Sequence, residues 1–165
     1  MSFKHSLAAA ALIIPFAVAT SAFAVDKPVD FVTKAGRAGM FEVKASQLAL
    51  KKSKNPEIIA FAKEMIADHT AAAAGLKTAA KADKIYPPKV LDKDHQGKLN
   101  DLAKKGDDFD TAYINAQVDA HNDAVSLFDD YAKNGEDKSL KAFAGKTLPT
   151  LIAHRDHIDA LDKKM

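Results

Sequence analysis

The sequence predicts an all-α protein, a four-helix bundle whose second and third long helices are joined by a long crossover carrying a short extra helix. Three observations predict it. The chain is rich in Ala, Lys, Asp and Leu and poor in β-branched runs, so strand signals are scarce. Helix stop signals fall at wide intervals, at Asn55-Pro56, Tyr86-Pro87-Pro88, Gly106 and Asn134-Gly135. The first pair of helical segments also recurs as a second pair, displaced by 82 residues.

A leader precedes the helices. Lys4 is followed by an apolar stretch from Leu7 to Ala19 and then Ala22-Phe23-Ala24, with small residues at the two positions a signal peptidase reads. The stretch is 13 residues long and interrupted by Pro15, whereas a spanning helix needs about 20. The expectation is a signal peptide over residues 1–24, one domain over residues 25–165, and no transmembrane anchor after cleavage. The periplasm of a Gram-negative bacterium is then the expected destination.

The first helix is expected from about Phe31 to Ser53, capped by Asp30. Asn55 caps the second, with Pro56 at its first position, and the helix continues to about Ala82. The prolines at 87 and 88 forbid helix in the linker. Asp92 caps a short helix reaching about Lys105, and Gly106 breaks it. Asp107 or Asp108 starts the third long helix, which stops at Asn134-Gly135. Asp137 caps the last, which runs to about Lys163 and contains Pro149, where a kink or bulge is expected.

The repeat sets the topology. With the 82-residue shift, Phe31-Val32 falls on Tyr113-Ile114, Val43 on Val125, and the cap Asn55 on the cap Asp137. Ala60-Phe61-Ala62 meets Ala142-Phe143-Ala144, and beyond that the second copy is three residues longer, near Pro149. Two similar hairpins with a long connection between them describe the ferritin-like arrangement.

Tracing each apolar stripe at steps of three and four places one ionisable group near each middle. The stripes read Phe31, Ala35, Ala38, Glu42, Ala45, Ala49; then Ile58, Ala62, Met65, His69, Ala72, Leu76. The third reads Ile114, Gln117, His121, Ala124, Phe128, Tyr131, and the fourth Thr147, Leu151, His154, Ile158, Leu161. Glu42 lies 13 residues before the first turn and His69 14 after it; His121 lies about 14 before the second turn. His154 lies about 18 after that turn, or about 15 if the extra residues form a bulge.

Glu42, His69, His121 and His154 are therefore expected in one layer. A single histidine in such a stripe is ordinarily a core residue bonded to a neighbour. Three with a glutamate at one height admit two readings. One is a shared cation that satisfies all four groups; the other is a Glu–His network that fixes bundle register.

Composition excludes other classes. The chain has no cysteine, which removes disulfides, thiol catalysis, zinc fingers and iron–sulfur clusters. Losing the leader takes one of 24 basic residues and none of 22 acidic, leaving 23 against 22. That balance argues against nucleic acid and anionic membrane as partners. No Ser–His–Asp arrangement, phosphate loop or H-E-x-x-H motif is present, so catalysis is unsupported except through a metal.

Several residues are weaker candidates. His157 is spaced i, i+3 from His154 and reads better as a rim residue than a ligand. Asp68 reads as an acceptor that orients an imidazole or as a surface acid. Gln117 is a candidate neutral ligand, Met40 and Met65 are core filler before they are copper ligands, and His95 has no visible partners.

The chain resembles a family of exported bacterial proteins known as domain of unknown function 4142, placed among ferritin-like folds. The resemblance rests on Gly39-Met40-Phe41-Glu42-Val43, on Phe61-Ala62 through Met65-Ile66-Ala67-Asp68-His69, on Tyr113 through His121, and on Lys141-Ala142-Phe143-Ala144 through His154. It departs at Gln117, Ala120 and Asp129, where the family commonly has Met, Asp and Glu. The resemblance implies fold and export. Di-iron relatives of the wider fold carry Glu-x-x-His on two helices, but here Ile66 and Leu151 stand three before His69 and His154. A ferroxidase centre is disfavoured and a His-rich mononuclear site favoured, for which zinc, copper, nickel or iron is suitable.

The leading expectation is a periplasmic bundle holding one transition-metal ion for buffering or stress protection. The alternative is a metal-free module of the cell envelope that binds a protein partner or a second copy of itself.

Overall fold

The computed structural model describes Val25 to Lys164, and the expected leader, residues 1–24, lies outside that range. Five helices and no strands occupy the described residues: α1 Pro28–Lys52, α2 Pro56–Ala79, α3 Lys93–Lys104, α4 Phe109–Asn134 and α5 Lys138–Asp162. None of them is long and apolar enough to cross a membrane.

The hairpins α1–α2 and α4–α5 pack side by side, α1 against α4 and α2 against α5. Residues 80–108 form the crossover, and its helix α3 lies on α1 and α4. The protein is thus an all-α, ferritin-like four-helix bundle.

Caps fix most of the boundaries. The Asn55 side chain accepts from the Glu57 N–H at 2.9 Å, Asp92 from His95 at 2.9 Å and Asp137 from Leu140 at 2.7 Å. Two expected boundaries move. α1 starts at Pro28, not after Asp30, because proline's fixed φ suits a first helical position; Asp30 sits inside the first turn, where its charge complements the helix dipole. α2 stops at Ala79 and not near Ala82. Ala80 is fully buried, Lys84 turns left-handed at φ 57°, and the Ile85 N–H bonds back to the Ala80 carbonyl. Packing of Ile85 on the core overrides the helix preference of Lys81-Ala82.

Helix α5 runs through Pro149 without interruption. Pro149 and Gly145, whose carbonyl loses its partner there, are both exposed, so water replaces the missing bond at small cost.

The core is divided. One apolar cluster contains Phe41, Phe61, Met65, Tyr113, Ile114 and Ile158; the other contains Phe31, Leu76, Phe128, Tyr131, Leu140 and Leu151. In the second, Phe31 stacks on Tyr131 with centroids 3.9 Å apart. In the first, the Ser46 and Tyr113 hydroxyls share a buried 2.9 Å hydrogen bond. A polar layer separates the two clusters, one position on each long helix.

Candidate metal centre

Helical periodicity puts the layer together. Glu42 stands one turn before Ala45 on α1, His69 one turn after Met65 on α2, His121 one turn before Ala124 on α4, and His154 one turn after Leu151 on α5. Every one of these apolar neighbours is buried, so the four ionisable side chains are carried inward with them. Their exposures are 1 % for Glu42, 5 % for His69, 0 % for His121 and 1 % for His154.

The three imidazoles form a nearly equilateral triangle. Ring centroids are 5.6 Å apart for His69–His121, 5.4 Å for His69–His154 and 5.6 Å for His121–His154. One ring nitrogen from each lies within 4.8 Å of one from each of the others.

Each ring has a different group near one of its nitrogens. Nδ1 of His69 lies 3.1 Å from Oε2 of Glu42. Nδ1 of His121 donates to the Gln117 carbonyl at 2.8 Å. Nε2 of His154 lies 2.9 Å from Oδ2 of Asp68. The opposite nitrogens, Nε2 of His69, Nε2 of His121 and Nδ1 of His154, are buried without a hydrogen-bond partner. A single such atom costs about 1–3 kcal/mol; three in one layer call for a partner.

Electrostatics favours the ligating form of the rings. Burial lowers the His69 pKa to about 4, His154 adds to the shift, and Asp68 opposes it. Burial also lowers His121, against the pull of Glu42 and of the Gln117 carbonyl. Both imidazoles are thereby neutral at ordinary pH, with a lone pair free for a cation. Burial raises the Glu42 carboxyl above its usual range, and His121, His154 and His95 draw it back down.

Glu42 shares the layer but does not stand as the histidines do. Its Oε2 faces the back of His69, and Oε1, otherwise unpartnered, is 3.7 Å from the Nδ1 of His121 that already bonds Gln117. The other candidates also find places. Asp68 orients His154, across the bundle, and not its neighbour His69. Gln117 acts through its backbone carbonyl, while both atoms of its side-chain amide are buried and unpaired. Met65 is core filler, and His95 binds the capping carboxylate of Asp92 at 2.7 Å.

Glu64 escaped the sequence reading. It lies 3.1 Å from Nδ1 of His157 and 4.0 Å from Nε2 of His154. The signal was its i, i+4 spacing to Asp68, which puts both carboxylates on one face of α2. A cleft of about 320 Å³ borders the layer on another side, lined by Gly36, Gly39, Glu42, His69, Pro88 and Leu151 among others.

Comparison with known proteins agrees with this architecture. The structure of CopM in its Cu(II)-bound form is similar at a TM-score of 0.72 and 17 % identity, covering 86 % of this chain and 99 % of that one. A DUF305 fragment from Deinococcus radiodurans is similar at 0.71 and 9 % identity, covering 84 % and 96 %. At these identities the likeness is one of fold. No curated protein matches the chain. Residues 15–161, which include the whole polar layer, match the family described as Domain of unknown function (DUF4142), and the chain belongs to that family.

Proposed function

We propose that this protein binds one transition-metal ion in the bundle core, on Nε2 of His69, Nε2 of His121 and Nδ1 of His154. The observation that carries the reading is a triangle of three buried imidazoles, each with one ring nitrogen unpartnered. The groups behind the rings strengthen it: the Gln117 carbonyl and Asp68 hydrogen-bond the other nitrogens of His121 and His154, fixing tautomer and ring direction as supports of metal-bound histidines do, and Glu42 stands 3.1 Å from Nδ1 of His69. Glu42 takes the role of support to His69 in place of the fourth ligand expected from its height. A cation on His69 and an ionised Glu42 favour one another, so the ion offsets the cost of burying that carboxylate.

Imidazole donors suit zinc, copper, nickel or iron. Copper stands first for testing, because it heads the divalent affinity series and because a protein of the same fold, CopM, has been solved with Cu(II). With the leader-like segment at residues 1–24, the role that fits is metal buffering or stress protection in the periplasm.

A second reading rests on one contact. The 3.1 Å approach of Glu42 to His69 also makes a polar layer that keeps the two apolar clusters in register without any metal, suiting an envelope interaction module. Elemental analysis separates the two, on protein purified without an affinity tag or chelator. Near-stoichiometric metal, lost in a His69→Ala, His121→Ala variant that keeps its helical circular dichroism, supports the site. No metal, and no thermal stabilisation by added copper, zinc, nickel, iron or manganese, sinks it.

A further inference from the structure

The outer edge of His154 meets a second set of donors. Asp68 Oδ2 lies 2.9 Å and Glu64 Oε1 4.0 Å from its Nε2, and Glu64 Oε2 lies 3.1 Å from Nδ1 of His157. Helical spacing builds this group from two facing pairs, Glu64 and Asp68 at i, i+4 on α2 and His154 and His157 at i, i+3 on α5. Ligand atoms of Glu64, Asp68 and His154 all lie within 4.8 Å of one another. Phe61 packs edge-on against the His157 ring at 5.2 Å and holds it in place.

Three features separate this group from an ordinary acidic surface. Imidazoles are the only ion-pair partners of the two carboxylates among the described residues. One donor, His154, is a buried ring with Nε2 directed into the group. The remaining three side chains are about half exposed, at 41 % for Glu64, 46 % for Asp68 and 42 % for His157. Oxygens of Glu64 and Asp68 and Nε2 of His154 at a half-open rim, with the His157 ring beside Glu64, match a divalent transition-metal ion that keeps part of its water.

We infer that Glu64, Asp68, His154 and His157 form a second cation site, which captures a divalent transition-metal ion from solvent at the rim of the bundle. His154 belongs to both sites, offering Nε2 outward and Nδ1 inward. A neutral imidazole carries one N–H and one lone pair. With the lone pair on Nε2 the ring serves the rim and Nδ1 bears the proton. With the lone pair on Nδ1 it serves the buried triad, and Nε2–H donates to Asp68. The neutral ring serves one site at a time, so the rim works while the interior is empty. This alternation rests on the buried-triad reading; the rim site itself does not, because Glu64 and His157 take no part in the triad.

The test titrates zinc chloride into the metal-free protein by calorimetry. His69→Ala, His121→Ala removes the triad and leaves the rim; E64Q with H157Q is then added, sparing Asp68 because it also orients His154. The expected result is one zinc bound to the first variant, at least tenfold more weakly than to the wild type, and at least tenfold more weakly again after E64Q and H157Q. No zinc binding by the folded first variant, or binding unchanged by E64Q and H157Q, overturns the rim site. Should the first variant lose its helical circular dichroism, E64Q and H157Q are read in the otherwise wild-type chain by stopped-flow loading. A rate at least tenfold slower with stoichiometry kept at one supports the rim, and an unchanged rate overturns it. Wild-type zinc that survives loss of His69 and His121 but not E64Q and H157Q leaves the rim standing and removes the triad.

Discussion

Oε2 of Glu42 lies 3.1 Å from Nδ1 of His69, with both side chains buried. The contact lies on Nδ1, and Nε2 of the same ring is buried without a hydrogen-bond partner. Glu42→Gln keeps an acceptor at that position and removes the charge. Metal affinity is expected to fall about 10–100-fold, the usual cost of losing a support behind a ligating histidine, with stoichiometry unchanged. His121→Ala removes a ligand and abolishes tight binding. Competition titration against a chromophoric chelator measures both; equal affinities for Glu42→Gln and wild type would refute the supporting role.

Metal stabilises the folded chain if it binds only there. At a free concentration 100 times Kd the gain is about 2.7 kcal/mol, which for a domain of this size raises Tm by roughly 5–10 °C. Scanning calorimetry with copper, then with excess chelator, is expected to show that rise and its reversal.

In the metal-free protein the buried rings should lose their contribution to stability on acidification. His69 has a folded pKa of about 4 against 6.5 in the unfolded chain, and His121 is lowered as well. The unfolded state therefore binds more protons below 6.5, so the contribution of these rings is full above that pH and lost as pH falls toward 4. Glu42 acts in the opposite sense: its raised pKa stabilises below 4.5, and that contribution is lost as pH rises through the raised value. The two effects oppose one another between pH 5 and pH 7, so the His69 part is read by difference: on going from pH 7 to pH 5 the urea midpoint of wild type should change more toward instability than that of His69→Gln. The same change in both proteins would contradict the assignment.

Gly39 stands one turn before Glu42 on α1, and a Cβ added there would meet Nδ1 of His69 at 3.6 Å, an ordinary contact. Gly39→Ala should stabilise the protein by up to about 1 kcal/mol through helix propensity and leave metal stoichiometry intact. Gly39→Leu extends into His69 and should lower metal affinity at least tenfold. Chemical denaturation and metal titration of the two variants test the pair.

Much of this was legible before the fold was known, because helix periodicity turns spacing into direction and height. Phe31, Glu42, His69, His121 and His154 all occupy the interior their stripes assigned, and the caps Asn55, Asp92 and Asp137 bond as their residue types predict. The stripes were too narrow: Phe41, Phe61 and Tyr113 are buried beside them, since a helix in a bundle faces two neighbours and buries a broader face than one line of residues. The division of labour in the site was not legible at all. Height alone gives Glu42 and the three histidines the same standing, and only side-chain rotamers show that Glu42 faces the back of His69. Asp68 meets His154 and not His69 because α2 and α5 are neighbours, a pairing that depends on how the two hairpins dock. Glu64 was missed for the same reason: its partner His157 lies 93 residues away.

The most direct test of the central claim is anomalous diffraction from crystals of the copper-loaded protein. One strong peak is expected inside the bundle, bonded to Nε2 of His69, Nε2 of His121 and Nδ1 of His154, with Glu42 still on the far side of His69. Absence of a peak in the polar layer, or a peak bonded to other atoms there, would contradict it.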